Sequence, residues 1–374
     1  SDPTSADTFL VRKARPILEG TLDGIFDFRF MPDFGNGKTV VQDAWVDVKP
    51  ESWLVFTIGK FKAPVGLERL QLEQYARFIE PALTEDLEPY RDLGAELGGS
   101  IAHGLLRYQL GVFDGAPDGG STDANSVPDA NSTGKFTWDG RLFGLPFSQT
   151  PLTLLTGLGV GVAATYVNYR GVDTAISTVS LLAADKTTGQ QPLFGYRGDT
   201  ATGFNNATIA SGIERRVVPQ AYWYYGPVYL LGEYVNEDQQ VYRQITLKSS
   251  RANTLNNTAW QLQAGIYLTG EREAYDAIDV AREVGKGGFG ALELVVRVHA
   301  IRFDNGAFLA GAESFANIAT AAREAHAHGV GINWYLTRVF RIQLDYEDTS
   351  FEGAALSGNR GDERVLTSQF AMIF

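Results

Sequence analysis

Phe340-Arg341-Ile342-Gln343-Leu344-Asp345-Tyr346-Glu347 alternates an apolar residue with a polar one without a miss. The last stretch repeats the pattern: Leu366, Ser368, Phe370, Met372 and Phe374 fall on one side, Val365, Thr367, Gln369, Ala371 and Ile373 on the other. A period of two is the signature of a β-strand with one oily and one wet face. Phe26–Phe30, Leu292–Val298 and Val330–Leu336 alternate in the same way.

Read outward from these segments, the chain predicts strands near 8–19, 24–33, 40–49, 53–63, 92–102, 105–113, 136–147, 157–170, 210–225, 228–243, 258–269, 289–304, 326–336, 339–351 and 364–374. Most run to roughly 10–15 residues, where an ordinary strand has about 5–6. A tilted strand of about 9–11 residues crosses a bilayer. The connections alternate too. Leu22-Asp23-Gly24, Pro50-Glu51-Ser52, His103-Gly104, Gly226-Pro227 and Thr337-Arg338 are tight, whereas 64–91, 114–135, 171–209, 244–257, 305–325 and 352–363 are long and polar. Short turns at one end and long loops at the other mark a transmembrane β-barrel with its short turns in the periplasm. Segments 270–288 (long on the short side) and 34–39 (brief on the long side) break the rule.

Fifteen strands is an odd count, and bacterial single-chain barrels have even ones. An ascending strand is therefore expected ahead of residue 1, for sixteen in the parent protein, unless one lies near Leu193–Arg197. The expectation is an all-β fold: one transmembrane antiparallel barrel over residues 1–374, with 64–91 as a candidate constriction loop. A soluble carbohydrate-binding β-protein is the competing reading, since sandwich strands also alternate. Its strands would be shorter and its polar faces denser in Lys and Glu. Trp45, Trp53, Tyr90, Trp138, Trp260, Trp334 and the run Tyr222-Trp223-Tyr224-Tyr225 sit near strand ends, where amphipathic rings suit a membrane interface.

Composition narrows the function. The 374 residues include no Cys and four His and carry a formal charge of −12, so thiolate chemistry is excluded and a nucleic-acid partner, which needs a basic stripe, is not expected. No apolar run reaches the about 18–20 residues of a membrane-spanning helix. Ser1-Asp2-Pro3-Thr4 is not a signal peptide, so if the protein is exported that segment is expected to have been removed or left out. No GxSxG or Ser–His constellation supports an enzyme. His326-Ala327-His328 lacks a third metal ligand, and the Asp/Gly-rich loop 114–135 (Asp114, Asp118, Asp123, Asp129) lacks EF-hand spacing. No cofactor or metal is expected.

Arg12-Lys13, Met31-Pro32-Asp33-Phe34-Gly35, Asp43-Ala44, Gly59-Lys60-Phe61-Lys62-Ala63-Pro64-Val65-Gly66-Leu67-Glu68-Arg69, Gly115-Ala116-Pro117-Asp118-Gly119-Gly120, Leu268-Thr269-Gly270-Glu271 and Gly331-Ile332-Asn333-Trp334-Tyr335-Leu336, with terminal Phe374, resemble the phosphate-selective porin O/P family. The resemblance runs from about residue 8 to the end. It implies a sixteen-stranded homotrimeric porin in the outer membrane of a Gram-negative bacterium, among its lipid and lipopolysaccharide, with one loop folded into the pore. Its passive ion transport would favour anions such as phosphate; a general or cation-preferring porin is the alternative. Arg12, Lys13 and Arg69 match the family's basic pore positions and Asp43 its acidic one. Lys60 belongs to the most specific stretch. Thr57 and Pro81, after Glu80, stand where the family carries basic residues. From the strand faces themselves, Asp27, Arg29, Asp43, Asp47, Thr57, Glu96, Arg107, Glu293, Arg297, Arg341, Asp345 and Glu347 are expected to line the pore, and Leu67–Ile79 to form a short helix within the loop.

Overall fold

The computed structural model describes residues 9–37, 39–115, 135–169, 182, 184–198, 206–355 and 357–373. Among them the strands, in chain order, are β1 (Leu18–Leu22), β2 (Phe26–Asp33), β3 (Val40–Glu51), β4 (Leu54–Lys62), β5 (Arg91–Ile101), β6 (Leu106–Phe113), β7 (Thr137–Gly144), β8 (Leu158–Tyr169), β9 (Asp185–Lys186), β10 (Pro192–Phe194), β11 (Thr208–Tyr225), β12 (Val228–Thr246), β13 (Ser249–Tyr267), β14 (Ala291–Arg302), β15 (Ala322–Tyr335), β16 (Phe340–Gly353) and β17 (Glu363–Met372). All but β9 and β10 form one 15-stranded sheet in which each strand pairs antiparallel with the next. Because the side-chain period is two, this simple meander keeps one set of residues on each face wherever the ladder is regular, with register shifts such as those at Met31–Pro32 and Ala210–Glu214 interrupting it.

The faces are inverted relative to a soluble protein. Leu344, Leu366 and Phe370 are 44%, 68% and 64% exposed, whereas Asp345, Glu293 and Arg297 are 7%, 0% and 2% exposed. A sandwich would bury the first set. The sheet curls around its polar face: side chains of β11 (Arg216), β12 (Glu233), β13 (Gln261), β14 (Arg297), β15 (Asn333) and β16 (Arg341) all reach the one segment 64–91 that joins β4 to β5.

Several boundaries differ from the sequence reading. The strand expected over 8–19 begins only at Leu18. Pro16 has no amide to give a ladder, and the chain before it is drawn aside, with Phe34 N–H donating to Ala14 O (3.0 Å) and Ala14 N–H to Asp33 (3.1 Å). The loop expected over 244–257 is not a loop: β12 and β13 run on to Thr246 and from Ser249. Its outward residues are polar because strands of 19 residues overshoot the bilayer. Pro192–Phe194 pairs with Asp185–Lys186 in a separate ribbon and adds no strand to the main sheet. In 64–91 only Leu67–Leu70 is α-helical, with a 3-10 turn at Glu73–Tyr75. Loop residues 116–134 and terminal Phe374 lie outside the described residues.

Candidate functional site

Loop 64–91 lies on the polar face and is held by side chains that alternation points inward. At its start Leu67 N–H donates to Glu233, and Glu68 accepts from the side-chain amides of Gln261 (2.7 Å) and Gln263 (2.8 Å) and from Ala82 N–H (3.1 Å). The Arg297 guanidinium bridges Glu347 (2.8 Å) and Glu68 (3.4 Å), donates to Glu80 O (3.1 Å) and lies 4.2 Å from the Phe78 ring. Leu83 N–H donates to His299 Nδ1 (3.0 Å), Ile79 N–H to Asp345 (2.7 Å), and Arg341 to the carbonyls of Gln74 (3.1 Å) and Ala76 (2.9 Å). These bonds take up backbone groups that a continuous helix would pair internally, and they account for the broken helix.

A second segment meets the loop from the short-turn end. Residues 268–290, between β13 and β14, place Glu273 2.7 Å from the Arg77 guanidinium, with Glu293 at 3.2 Å and Tyr335 Oη at 3.2 Å. Tyr275 Oη donates to Leu67 O (2.6 Å), and Gln71 donates to Tyr275 O (2.7 Å). The long connection on the wrong side of the barrel is thus a prop for the loop.

On the β2–β5 side, cations converge on the loop's carboxylates. Arg12 pairs with Glu80 (2.7 Å), Lys13 with Glu73 (2.7 Å), Arg15 with Asp33 (2.6 Å) and Glu73, and Arg91 with Asp43 (2.7 Å), which Arg29 approaches at 3.8 Å. Burial alone would raise the Glu73 carboxyl, yet Lys13, Arg15 and Arg91 hold it well below the usual carboxylate range. Arg69 is buried between Glu85 (3.4 Å) and Glu88 (3.8 Å), its guanidinium 4.7 Å from the Tyr90 ring. Burial pushes the carboxyl of Asp86 up to about 8 and that of Glu88 well above its ordinary value, against the pull of Arg69.

The structure therefore places most of the expected pore residues in the loop's seat. Arg12, Lys13, Asp43, Arg69, Glu80, Arg297 and Arg341 bind other parts of the chain. Asp47 stands in register with Asp27 and Thr57, and Thr57 with Glu96, all on the inward side of β2–β5. Lys60 is buried in β4, in register with Ala44 and Leu93. Arg107 of β6 is exposed and makes no ion pair among the described residues. Residues missing from the sequence-derived set are Arg15, Arg77, Arg91, Arg141, Gln261 and Gln263. Gln261 and Gln263 flank outward Leu262, so alternation alone would have found them; Arg77 and Arg91 carried no strand pattern. His326 is on the outward face beside Glu324 (2.8 Å), and no cluster of metal-ligand geometry occurs among the described residues.

A family model described as phosphate-selective porin O and P matches residues 2–370. The fold is similar to that of the outer-membrane channel DcaP of Acinetobacter baumannii (TM-score 0.53, 8% identity, 95% of this chain and 83% of that one). It is also similar to OmpT of Vibrio cholerae (0.50, 10%, 97% and 90%) and to Salmonella typhi OmpF solved with daunomycin (0.50, 12%, 95% and 88%). No curated protein matches the sequence significantly.

Proposed function

The chain belongs to the phosphate-selective porin O and P family, an outer-membrane channel of β-barrel fold, and from that premise we propose a passive diffusion channel that passes small hydrophilic solutes beside loop 64–91, with preference for anions. One contrast carries this reading. Inward residues of β12–β16 (Glu233, Gln261, Glu293, Arg297, Asn333, Gln343) are buried under the loop, whereas inward Asp27, Arg29, Asp47, Thr57 and Gln109 are half-buried and Arg107 is exposed. The aqueous route follows the β2–β6 wall, with inward Glu96 and the β7 residues Asp139 and Arg141 buried beside it. Charges fixed at such a wall set selectivity. There, among the described residues, Arg107 makes no ion pair, and Arg141 on the next strand is held by neutral Gln220 (3.0 Å) and Gln109 (3.3 Å) with no carboxylate at ion-pair distance.

The test is the reversal potential in a KCl gradient across a planar bilayer. Arg107→Gln with Arg141→Gln lowers the anion-to-cation permeability ratio; an unchanged ratio refutes the assignment. The cation-preferring reading has its own support, because Asp47, Glu96 and Asp139 each keep one buried oxygen without a hydrogen bond. It predicts that Glu96→Gln moves the ratio more than the arginine pair does. Phosphate as the preferred anion rests on the family's description, and phosphate block of chloride current tests it. A homotrimer in contact with lipopolysaccharide is part of the same proposal, and the native mass of detergent-extracted protein checks its stoichiometry.

A further inference from the structure

Only half of the aromatic run at the end of β11 faces lipid. Trp223 and Tyr225 stack on each other outward, 5.9 Å between centroids, with Tyr225 exposed. Tyr222 and Tyr224 share the inward side with buried Arg216 and Gln220. A membrane-interface belt accounts for the first pair and not for the second.

The wall beside them is shaped to receive rings. Strand β8 lies between β7 and β11, and its residues opposite Phe143 and Tyr222 are Gly161 and Gly159. A Cβ on Gly159 would lie 2.6 Å from Tyr222 Cε2 and 2.7 Å from Phe143 Cε1; one on Gly161 would lie 2.4 Å from Phe143 Cδ2. The two rings therefore close over bare backbone from both sides, with centroids 5.1 Å apart, and Tyr275 stacks on Tyr222 at 5.1 Å and 22°. Tyr222 and Tyr275 remain half-buried, and the Tyr222 hydroxyl binds nothing among the described residues.

Cations border this floor. Arg107 stands opposite Phe143 across the β6–β7 ladder. The Arg141 guanidinium lies 4.6 Å from the Phe143 centroid; Gln220 and Gln109 take its Nε and Nη1, and its Nη2 donates to nothing among the described residues. Glu96 accepts from Gln109 (3.0 Å) and pairs with neither arginine. We propose that Phe143, Tyr222 and Tyr275 with Arg107 and Arg141 form a lumen subsite for an aromatic carboxylate, whose ring stacks on the tyrosines while its carboxylate takes the guanidinium donors. Planar forks match carboxylates, and offset rings attract one another. An inorganic anion would gain nothing from the rings, so their presence selects a solute with a flat apolar body. The inference rests on the anion route proposed above; the KCl reversal potential tests that route, and a comparison of two carboxylates of equal charge tests the rings.

That comparison is block of chloride current through the full chain in a planar bilayer, with potassium benzoate and potassium acetate added in turn. Benzoate is expected to reach half-block at a concentration roughly two- to tenfold below that of acetate, the worth of one ring pair. Tyr222→Leu brings this ratio close to one, Arg107→Gln raises both half-blocking concentrations, and Tyr225→Leu on the outward side leaves the ratio unchanged. Heat-modifiable gel mobility confirms that each variant keeps its barrel. Equal block by the two anions in the parent channel overturns the proposal, and so does a benzoate advantage that survives Tyr222→Leu. Block by glucose at the concentration that suffices for benzoate overturns it as well, because the rings would then serve neutral sugars.

Discussion

Removing the Arg77 side chain should release loop 64–91. The guanidinium is 1% exposed and lies 2.7 Å from Glu273 and 3.2 Å from Glu293, both carboxylates being 0% exposed. Arg77→Ala leaves two carboxylates facing each other without a counter-charge and strips donors from Tyr335 Oη and Ala274 O. Breaking one buried pair in this way costs about 3–5 kcal/mol. The sheet does not have to unfold to relieve that cost, because the loop can leave the wall. The docked-to-undocked ratio should then fall by roughly 10²–10⁴, at about 1.4 kcal/mol per tenfold. Single-channel recording reads this as higher conductance with open-state flicker. A charge-balanced variant, Arg77→Gln with Glu273→Gln and Glu293→Gln, removes the uncompensated charge and should return the channel close to its original conductance. If Arg77→Ala folds, as shown by heat-modifiable mobility, and conducts with the original amplitude and noise, the clamp does not hold the loop.

Gly66→Ala forces a side chain onto a backbone at φ 56° and places its Cβ 1.9 Å from Glu88 Oε2; a cost of about 1–3 kcal/mol should appear as faster proteolysis within 64–91, and an unchanged digestion rate would count against a tightly seated loop. Asp86, held up to about 8 by burial, stays protonated in the docked loop while its undocked form ionises near the ordinary value of about 3.9. The Asp86 contribution to docking is therefore complete below about pH 4 and is lost as pH rises toward 8; Asp86→Asn should flatten the rise in current noise over that interval, and an identical profile would exclude Asp86 as its cause. Arg12 and Lys13 are 36% and 38% exposed in their pairs, so Arg12→Gln with Lys13→Gln should cost at most about 1 kcal/mol per pair, leaving both the melting temperature of the barrel and the reversal potential almost unchanged; a shifted reversal potential would put these two residues on the ion route.

The strands were readable because their one-in-two polarity survives any tertiary context: Phe340–Glu347 and Leu366–Met372 sit where alternation puts them. Polarity misled where it was not alternating with grease. Residues 244–257 look like a loop because both faces are polar, yet the ladder is satisfied there and the strands continue. At the N-terminus, alternation around Val11 and Ile17 was outweighed by Pro16 and by the attraction of Arg12, Lys13 and Arg15 to carboxylates. The candidate site was half readable for the same reason. Alternation identifies Arg297 and Arg341 as inward, but what they bind is decided across the lumen: Arg341 meets Gln74 from 267 residues away in the chain, and no local pattern encodes that distance.

The seat also decides which charges a solute can feel. The loop buries Val65, Leu67, Phe78, Leu83 and Leu87 in apolar clusters with wall residues such as Phe113, Tyr229 and Val295, while its ion pairs, each offset by desolvation, add little net stability. What they supply is position: Glu68, Arg77 and Ile79 each meet a fixed partner on the wall, Gln263, Glu293 and Asp345 in turn. The carboxylates and guanidiniums used this way neutralise each other at short range. The formal charge of −12 and the count of inward arginines are therefore poor guides to selectivity. On the proposed reading, the field along the route comes from what the seat leaves over, Arg107 and Arg141 against Asp47, Glu96 and Asp139, on strands β3 and β5–β7. Substituting a seat residue should then change how wide the channel is, and substituting one of these five should change which ion it prefers.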